Sequence, residues 1–267
     1  MDFPAFNQGQ IGSCVSFGVS LAVEASLAVD IAEARGPPKD WVWTVREAVY
    51  GGSRVEANGG RVPFGGDGST GAWAVKWLQK IGGALPAKKY DSLDLTTYDL
   101  NRCRQWGNSG VPDDLEKYCR ENPVTFSQVR TGVDVRRSLN NGYAVFICSN
   151  VGFGNLSGQL QRDGDGFLRP SGQWNHCMAV LGYQGGARPG FLIVNSWGAN
   201  WVNGPKGKFD DIPPGSFWCD AGVMDRICSQ EDSWAVAGIK GFRARKIRPD
   251  DWLIKRNIFG PAFAMGF

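Results

Sequence analysis

Histidine is almost missing from this chain: one stands at position 176 and nowhere else. A single imidazole excludes the metal centres built from several histidines, and no Cys-x-x-Cys pair suggests zinc, so no metal or other cofactor is expected. Excess charge is also lacking. A formal net charge of +3 is too small to argue for nucleic acid as a partner. Long apolar runs are lacking too, since Ser16, Ser20, Glu24 and Ser26 interrupt the longest, Val15 to Val29, which is too short to span a bilayer. No membrane association is therefore expected. The opening Met1-Asp2-Phe3-Pro4 has none of the marks of a secretory leader, so no signal peptide is expected either.

What is present is an ordinary globular composition of 267 residues, 42% hydrophobic and 21% charged, enough for one large domain or a two-lobed one. With 37 glycines and 11 tryptophans, a loop-rich fold with large aromatic contacts is favoured over a helical bundle.

Near the amino terminus, Asn7-Gln8-Gly9-Gln10-Ile11-Gly12-Ser13-Cys14-Val15-Ser16-Phe17-Gly18 brings a cysteine through a glycine-broken loop to the start of an apolar helix. A helix N-terminus carries partial positive charge and unpaired N–H groups, so Cys14 is expected as a thiolate with a lowered pKa. Gln8, six residues earlier, offers a side-chain N–H to the same cavity. A thiol nucleophile needs a base that titrates in the useful range, and His176 is the one histidine available.

These residues carry a resemblance. The first stretch resembles the Asn-Gln-Gly-x-Cys-Gly-Ser-Cys-Trp-Ala-Phe segment of papain-like cysteine peptidases, the papain/cathepsin or C1 type. Trp174-Asn175-His176-Cys177-Met178-Ala179-Val180-Leu181-Gly182-Tyr183 resembles the histidine segment, and Ile193-Val194-Asn195-Ser196-Trp197-Gly198 resembles the Asn-Ser-Trp-Gly segment. Order and flanking residues agree in all three. The resemblance implies Cys14 as nucleophile, His176 as base, Asn195 as the acceptor that orients the ring, and Gln8 with the Cys14 N–H as oxyanion hole. Trp197 would cover the Asn–His bond. Gly65-Gly66 or Gly68-Ser69 would pair with the substrate backbone as an added strand does. Trp174 and Cys177 would lie near the pocket for the residue two before the scissile bond, favouring small or flat side chains there.

Two departures stand out. Val15 replaces a tryptophan, and Ile11 replaces a cysteine whose usual partner before the Gly-Gly pair is absent as well, so both ends of that family disulfide are lost. The six cysteines beside Cys14 do not match the family's usual spacing. Free thiols and a reducing, cytoplasmic compartment or a particle are therefore expected over three disulfides. The family is commonly made with an inhibitory propeptide ahead of the cysteine. None is visible ahead of Cys14, so a processed or cloned form, or another restraint on activity, is expected.

Along the chain, residues 14–35 read as a buried helix stopped by Gly36-Pro37-Pro38. Residues 40–50 read as a second helix, capped by Asp40, with Trp41, Val45, Ala48 and Val49 on one face and a stop at Gly51-Gly52. A third helix spans 72–81 and ends at Gly82-Gly83. The segment 84–132 is weakly patterned apart from a short helix at 112–118. One more helix covers 134–142, and strands follow at 143–148, 167–169, 178–183, 191–195, 216–218 and 234–242. Helices first and strands after make an α+β fold. The resemblance adds two lobes across a cleft, a helical lobe at about 1–130 and a β-barrel-like strand-rich lobe at about 131–240, with 241–267 as a C-terminal extension.

Asp163-Gly164-Asp165-Gly166 has two calcium-loop acids but lacks the third ligand and the closing glutamate, so it reads as a hairpin turn. The segment 199–215 exceeds the family's usual loop and is either a specificity-setting rim or a neutral insertion. The extension is basic and then apolar; it reads as a solvated edge or as a surface that docks a partner. The resulting expectation is a cysteine endopeptidase acting on peptide or protein substrates. The alternatives are a thiol amidase or peptide ligase using the same acyl-thioester, and a peptidase-derived structural or binding module.

Overall fold

Cys14–Ala32 forms α1, the helix around which the other elements pack, in a computed structural model that describes residues 4–33, 43–63, 65–154, 160–209 and 211–242. Its apolar side chains leave no polar face, and α1 is long and apolar enough to cross a membrane by length and composition, which corrects the reading that the apolar run after Cys14 is too short for that. Protein covers it instead. Glu24, midway along, is fully buried; its carboxylate accepts from the Thr44 N–H, the Thr44 hydroxyl and the Arg46 guanidinium, each at 2.8 Å. Burial raises the Glu24 pKa while Arg46 and Thr44 pull it down. The Arg46 guanidinium also lies 3.8 Å from the centre of the Phe6 ring. This knot ties the start of α2 (Arg46–Arg54) to the middle of α1.

After α2 come α3 (Gly71–Lys76), which runs on into a π-helical turn at Trp77–Ile81, the short pair β1 (Lys89–Tyr90) and β2 (Leu93–Asp94), α4 (Leu100–Ser109) and α5 (Asp113–Arg120). The strand-rich part comprises β3 (Val124–Gln128), α6 (Gly132–Asn140), β4 (Val145–Val151), β5 (Leu160–Gln161), β6 (Gln173–Gln184), β7 (Gly190–Val194), β8 (Val202–Asn203), β9 (Ser216–Asp220), α7 (Ala221–Cys228) and β10 (Ser233–Ile239). Six strands form one antiparallel sheet in the order β3-β10-β4-β6-β7-β9. Strand side chains alternate between faces. Phe146 and Cys177 accordingly join the core around α1, while Val145, Ile147 and Met178 join a second core with residues of α6 and α7.

The α+β reading holds, and several local readings are corrected. Residues 51 and 52 do not stop the second helix, because α2 passes through both to Arg54. A Cβ on Gly52 would sit 2.1 Å from the Trp77 ring, so glycine is needed there for close packing. Thr44 is extended, bridged to Pro86, so α2 begins after Val45. The Asp40 cap, Trp41 and the Gly36-Pro37-Pro38 stop lie outside the described residues. Residues 167–169 form no strand; Phe167 makes an isolated bridge to Trp218. α4, α7 and β3 were not expected. For α4 a signal existed, since Asp99 caps it by accepting from the Arg102 N–H at 2.7 Å.

The Asp163 segment is a tight turn, closed by Gly166 N–H to the Asp163 carbonyl at 3.0 Å and by Asp163 N–H to the Phe167 carbonyl at 2.9 Å. Arg188 donates to the Asp163 carboxylate at 2.7 Å and lowers its pKa. Within 199–215, Trp201 is packed against Trp174, Trp197 and Phe217, and β8 pairs with β5, so this segment is anchored over the second core. The extension lies outside the described residues beyond Phe242.

Candidate active site

Cys14 is the first residue of α1, with Ser13 in the cap position. The chain reaches it through Gly9, whose φ of +68° suits glycine, and through Gly12, where a Cβ would stand 2.9 Å from the Asp67 Cβ. Ile11 is buried with Tyr50 and Cys103, a small apolar cluster where the resemblance would place a disulfide. All seven cysteines are free. Cys14 keeps part of its surface open and packs against the core that contains Cys177, the residue that follows His176.

His176 stands in β6, and Asn195 directly follows β7, its antiparallel neighbour. The Nε2–H of His176 donates to Asn195 Oδ1 at 2.6 Å, and the same oxygen accepts from the Ser196 N–H at 2.7 Å. Nδ1 is thereby left as the ring's acceptor. Trp197 lies over the imidazole, ring centres 4.4 Å apart and planes 31° apart. Trp174 and Trp201 back it. The His–Asn bond is therefore shielded from water, where hydrogen bonds are stronger.

Gln8 is buried and fixed at both ends of its amide, with Nε2 donating to the Ile11 carbonyl at 2.7 Å and Oε1 accepting from the Ser196 hydroxyl. The Tyr98 hydroxyl donates to its backbone carbonyl at 3.0 Å. A second N–H of the amide remains beyond the one given to Ile11.

The electrostatics correct one expectation. Burial, with Cys148 adding to it, pushes the Cys14 thiol up to about 12, and the N–H groups of Cys177, Val15 and Cys14 itself only partly oppose this. Burial likewise takes His176 down to about 4 against the pull of Asn195. The helix start is too weak to charge the sulfur alone.

Of the remaining expected site residues, Gly65 and Gly66 are exposed, and Gly68 and Ser69 are half-buried in the loop that touches Gly12. Trp174 is only 6% exposed, its indole N–H given to the Gly154 carbonyl at 2.9 Å, and Cys177 is 1% exposed in the core beneath α1. Neither offers a surface to a bound chain. Sequence reading did not single out Ser196, whose hydroxyl holds the Gln8 amide and which was legible within its Asn-Ser-Trp-Gly stretch.

No family model matches the chain, and neither does any curated protein. Solved structures do. Xylellain, a cysteine protease from Xylella fastidiosa, is 21% identical with a TM-score of 0.56, covering 90% of this chain and 84% of that one. Digestive procathepsin L 3 of Tenebrio molitor larval midgut is 16% identical with a TM-score of 0.50, covering 88% of this chain and 66% of that one. The clostridial cysteine protease Cwp84 after propeptide cleavage is 16% identical with a TM-score of 0.58, covering 91% of this chain and 56% of that one. These likenesses show the papain-like fold, with its helical and strand-rich lobes.

Proposed function

We propose that this chain is a papain-like cysteine peptidase of the C1 type, which cleaves peptide bonds through Cys14, His176, Asn195 and Gln8. The observation that carries the reading is the 2.6 Å bond from His176 Nε2 to Asn195 Oδ1 under the Trp197 ring. It frees Nδ1 for the thiol at the start of α1. In the reaction, His176 takes the Cys14 proton as the sulfur attacks the peptide carbonyl, then delivers it to the leaving amine. The second Gln8 amide N–H and the Cys14 N–H stabilise the oxyanion. Water then hydrolyses the acyl-thioester and restores the thiol. Residues 65–69 would hold the substrate backbone, and the substrate is a peptide or protein.

The test is intact-mass labelling of the folded protein by a peptidyl epoxide, for wild type, Cys14→Ala and His176→Ala, from about pH 4 to about pH 9. Single labelling at Cys14 at neutral pH that needs His176, followed by cleavage of a peptide library, is the expected result. Slow labelling spread over several cysteines and indifferent to His176 would sink the peptidase reading and favour a structural module. Labelling without hydrolysis, but with transfer to an added amine, would point to a ligase.

A further inference from the structure

One face of α2 grips the glycine loop. Tyr50, Ser53 and Arg54 lie at helical spacings of three and four and share that face. Arg54 is 1% exposed. Its Nη1 donates to the Gly68 carbonyl at 2.7 Å, and its Nη2 donates to the Gly66 carbonyl. Its Nε donates to the Gly107 carbonyl at 2.8 Å, in the last turn of α4, where carbonyls lack helical partners. The Tyr50 hydroxyl accepts from the Gly68 N–H at 3.1 Å and donates to Asp67 Oδ1 at 3.4 Å. Ser69 and Ser53 join their hydroxyls at 2.8 Å.

From the side, the loop meets the cysteine segment, where Asp67 Oδ2 accepts from the Gly12 N–H at 3.4 Å. Its outer side is open, because a Cβ on Gly65 or Gly66 would meet nothing within 4 Å. Gly66 and Gly68 hold φ of +84° and +117°, a geometry that glycine reaches easily and leaves as easily. A segment with that freedom loses conformational entropy when it pairs with a bound chain, and prior ordering removes that loss. No disulfide orders it, since all seven cysteines are free.

We propose that Arg54 and Tyr50 are positioning residues for the peptide-binding loop, holding residues 66–68 in one conformation against the Cys14 segment where no disulfide does so. This rests on the peptidase reading above. The planar fork of Arg54 matters as much as its charge, because the single Nζ of a lysine cannot reach three separate carbonyls in the same directions.

The test compares two reagents on the full chain. A peptidyl epoxide needs the loop to reach Cys14; iodoacetamide needs only the thiol. Tyr50→Phe deletes one hydroxyl, and Arg54→Lys keeps the charge. Each variant should slow epoxide inactivation by roughly tenfold while iodoacetamide alkylation of Cys14 stays within about twofold of wild type. Equal slowing with both reagents would show general loosening and overturn the proposal, as would an unchanged epoxide rate in both variants. Should Arg54→Lys fail to fold, Tyr50→Phe decides. A wild-type protein with no preference for the epoxide over iodoacetamide overturns the peptidase reading itself, and this proposal with it.

Discussion

Ser196 gives its hydroxyl hydrogen to Gln8 Oε1 at 2.6 Å, and Gln8 returns its backbone N–H to the Ser196 carbonyl at 2.8 Å. Residues 188 positions apart are thus held by two bonds. The contact continues on either side, through the Asn7–Trp197 bridge and the bond from the Gly198 N–H to the Phe6 carbonyl at 2.8 Å. The amide proposed for the oxyanion hole is therefore aligned by the segment that also supplies Asn195.

Gln8→Ala should lower the peptidyl epoxide inactivation constant by about a hundredfold, the scale of a lost oxyanion donor. Ser196→Ala should lower it by roughly tenfold, because a buried amide oxygen left without its donor turns to find another. A wild-type constant in Gln8→Ala would remove that residue from the site.

Trp174 packs against Phe153, Trp197 and Trp201 rather than lining a pocket. Trp174→Ala should destabilise the protein by about 3–5 kcal/mol, as a large cavity does. Denaturant unfolding measures this directly. A variant of native stability whose only change is its preference among peptide side chains would restore the pocket role.

The lone histidine makes its own titration readable. In Cys14→Ala, where no thiol exchanges a proton with it, His176 should be neutral at pH 7 and titrate near 4, the value to which burial takes it. Its folded pKa lies below the unfolded value of 6.5. The unfolded chain therefore binds the proton first, and stability is lost as pH falls from 6.5 towards 4. The full loss is about 3 kcal/mol, complete below the folded pKa. The difference in unfolding free energy between Cys14→Ala and Cys14→Ala/His176→Gln should follow that window. A flat difference would mean that the imidazole is hydrated.

Glu24 and Arg46 are buried at 0% and 6% exposure. Removing one partner strands the other's charge, so Glu24→Ala should cost about 3–5 kcal/mol. Replacing both by apolar residues of similar size should restore much of it. If Glu24→Ala unfolds at the wild-type denaturant midpoint, the pair contributes nothing.

Much of the proposed site was readable because each piece is local. Cys14 opens an apolar stretch, His176 is unique, and Asn195 sits in a short distinctive string. α4 and β3 were missed for the opposite reason: a ten-residue helix with few apolar positions and a five-residue strand show little periodicity in isolation. Gly51 and Gly52 misled because glycine marks both a helix stop and a close helix contact, and only Trp77 decides which.

By itself the sequence determined the α+β class and the buried α1 with Cys14 at its head, and it nominated Gln8, His176 and Asn195 for the proposed site, since these follow from residue type and near neighbours. Tertiary structure alone decided the protonation and the precision of the site. Burial by distant segments overrides the helix start at Cys14. The grip of α2 on residues 66–68 and the bonding of Gln8 to Ser196 join positions far apart in the chain. Desolvation and hydrogen-bond direction are properties of what surrounds a group, and a linear string records only what precedes and follows it.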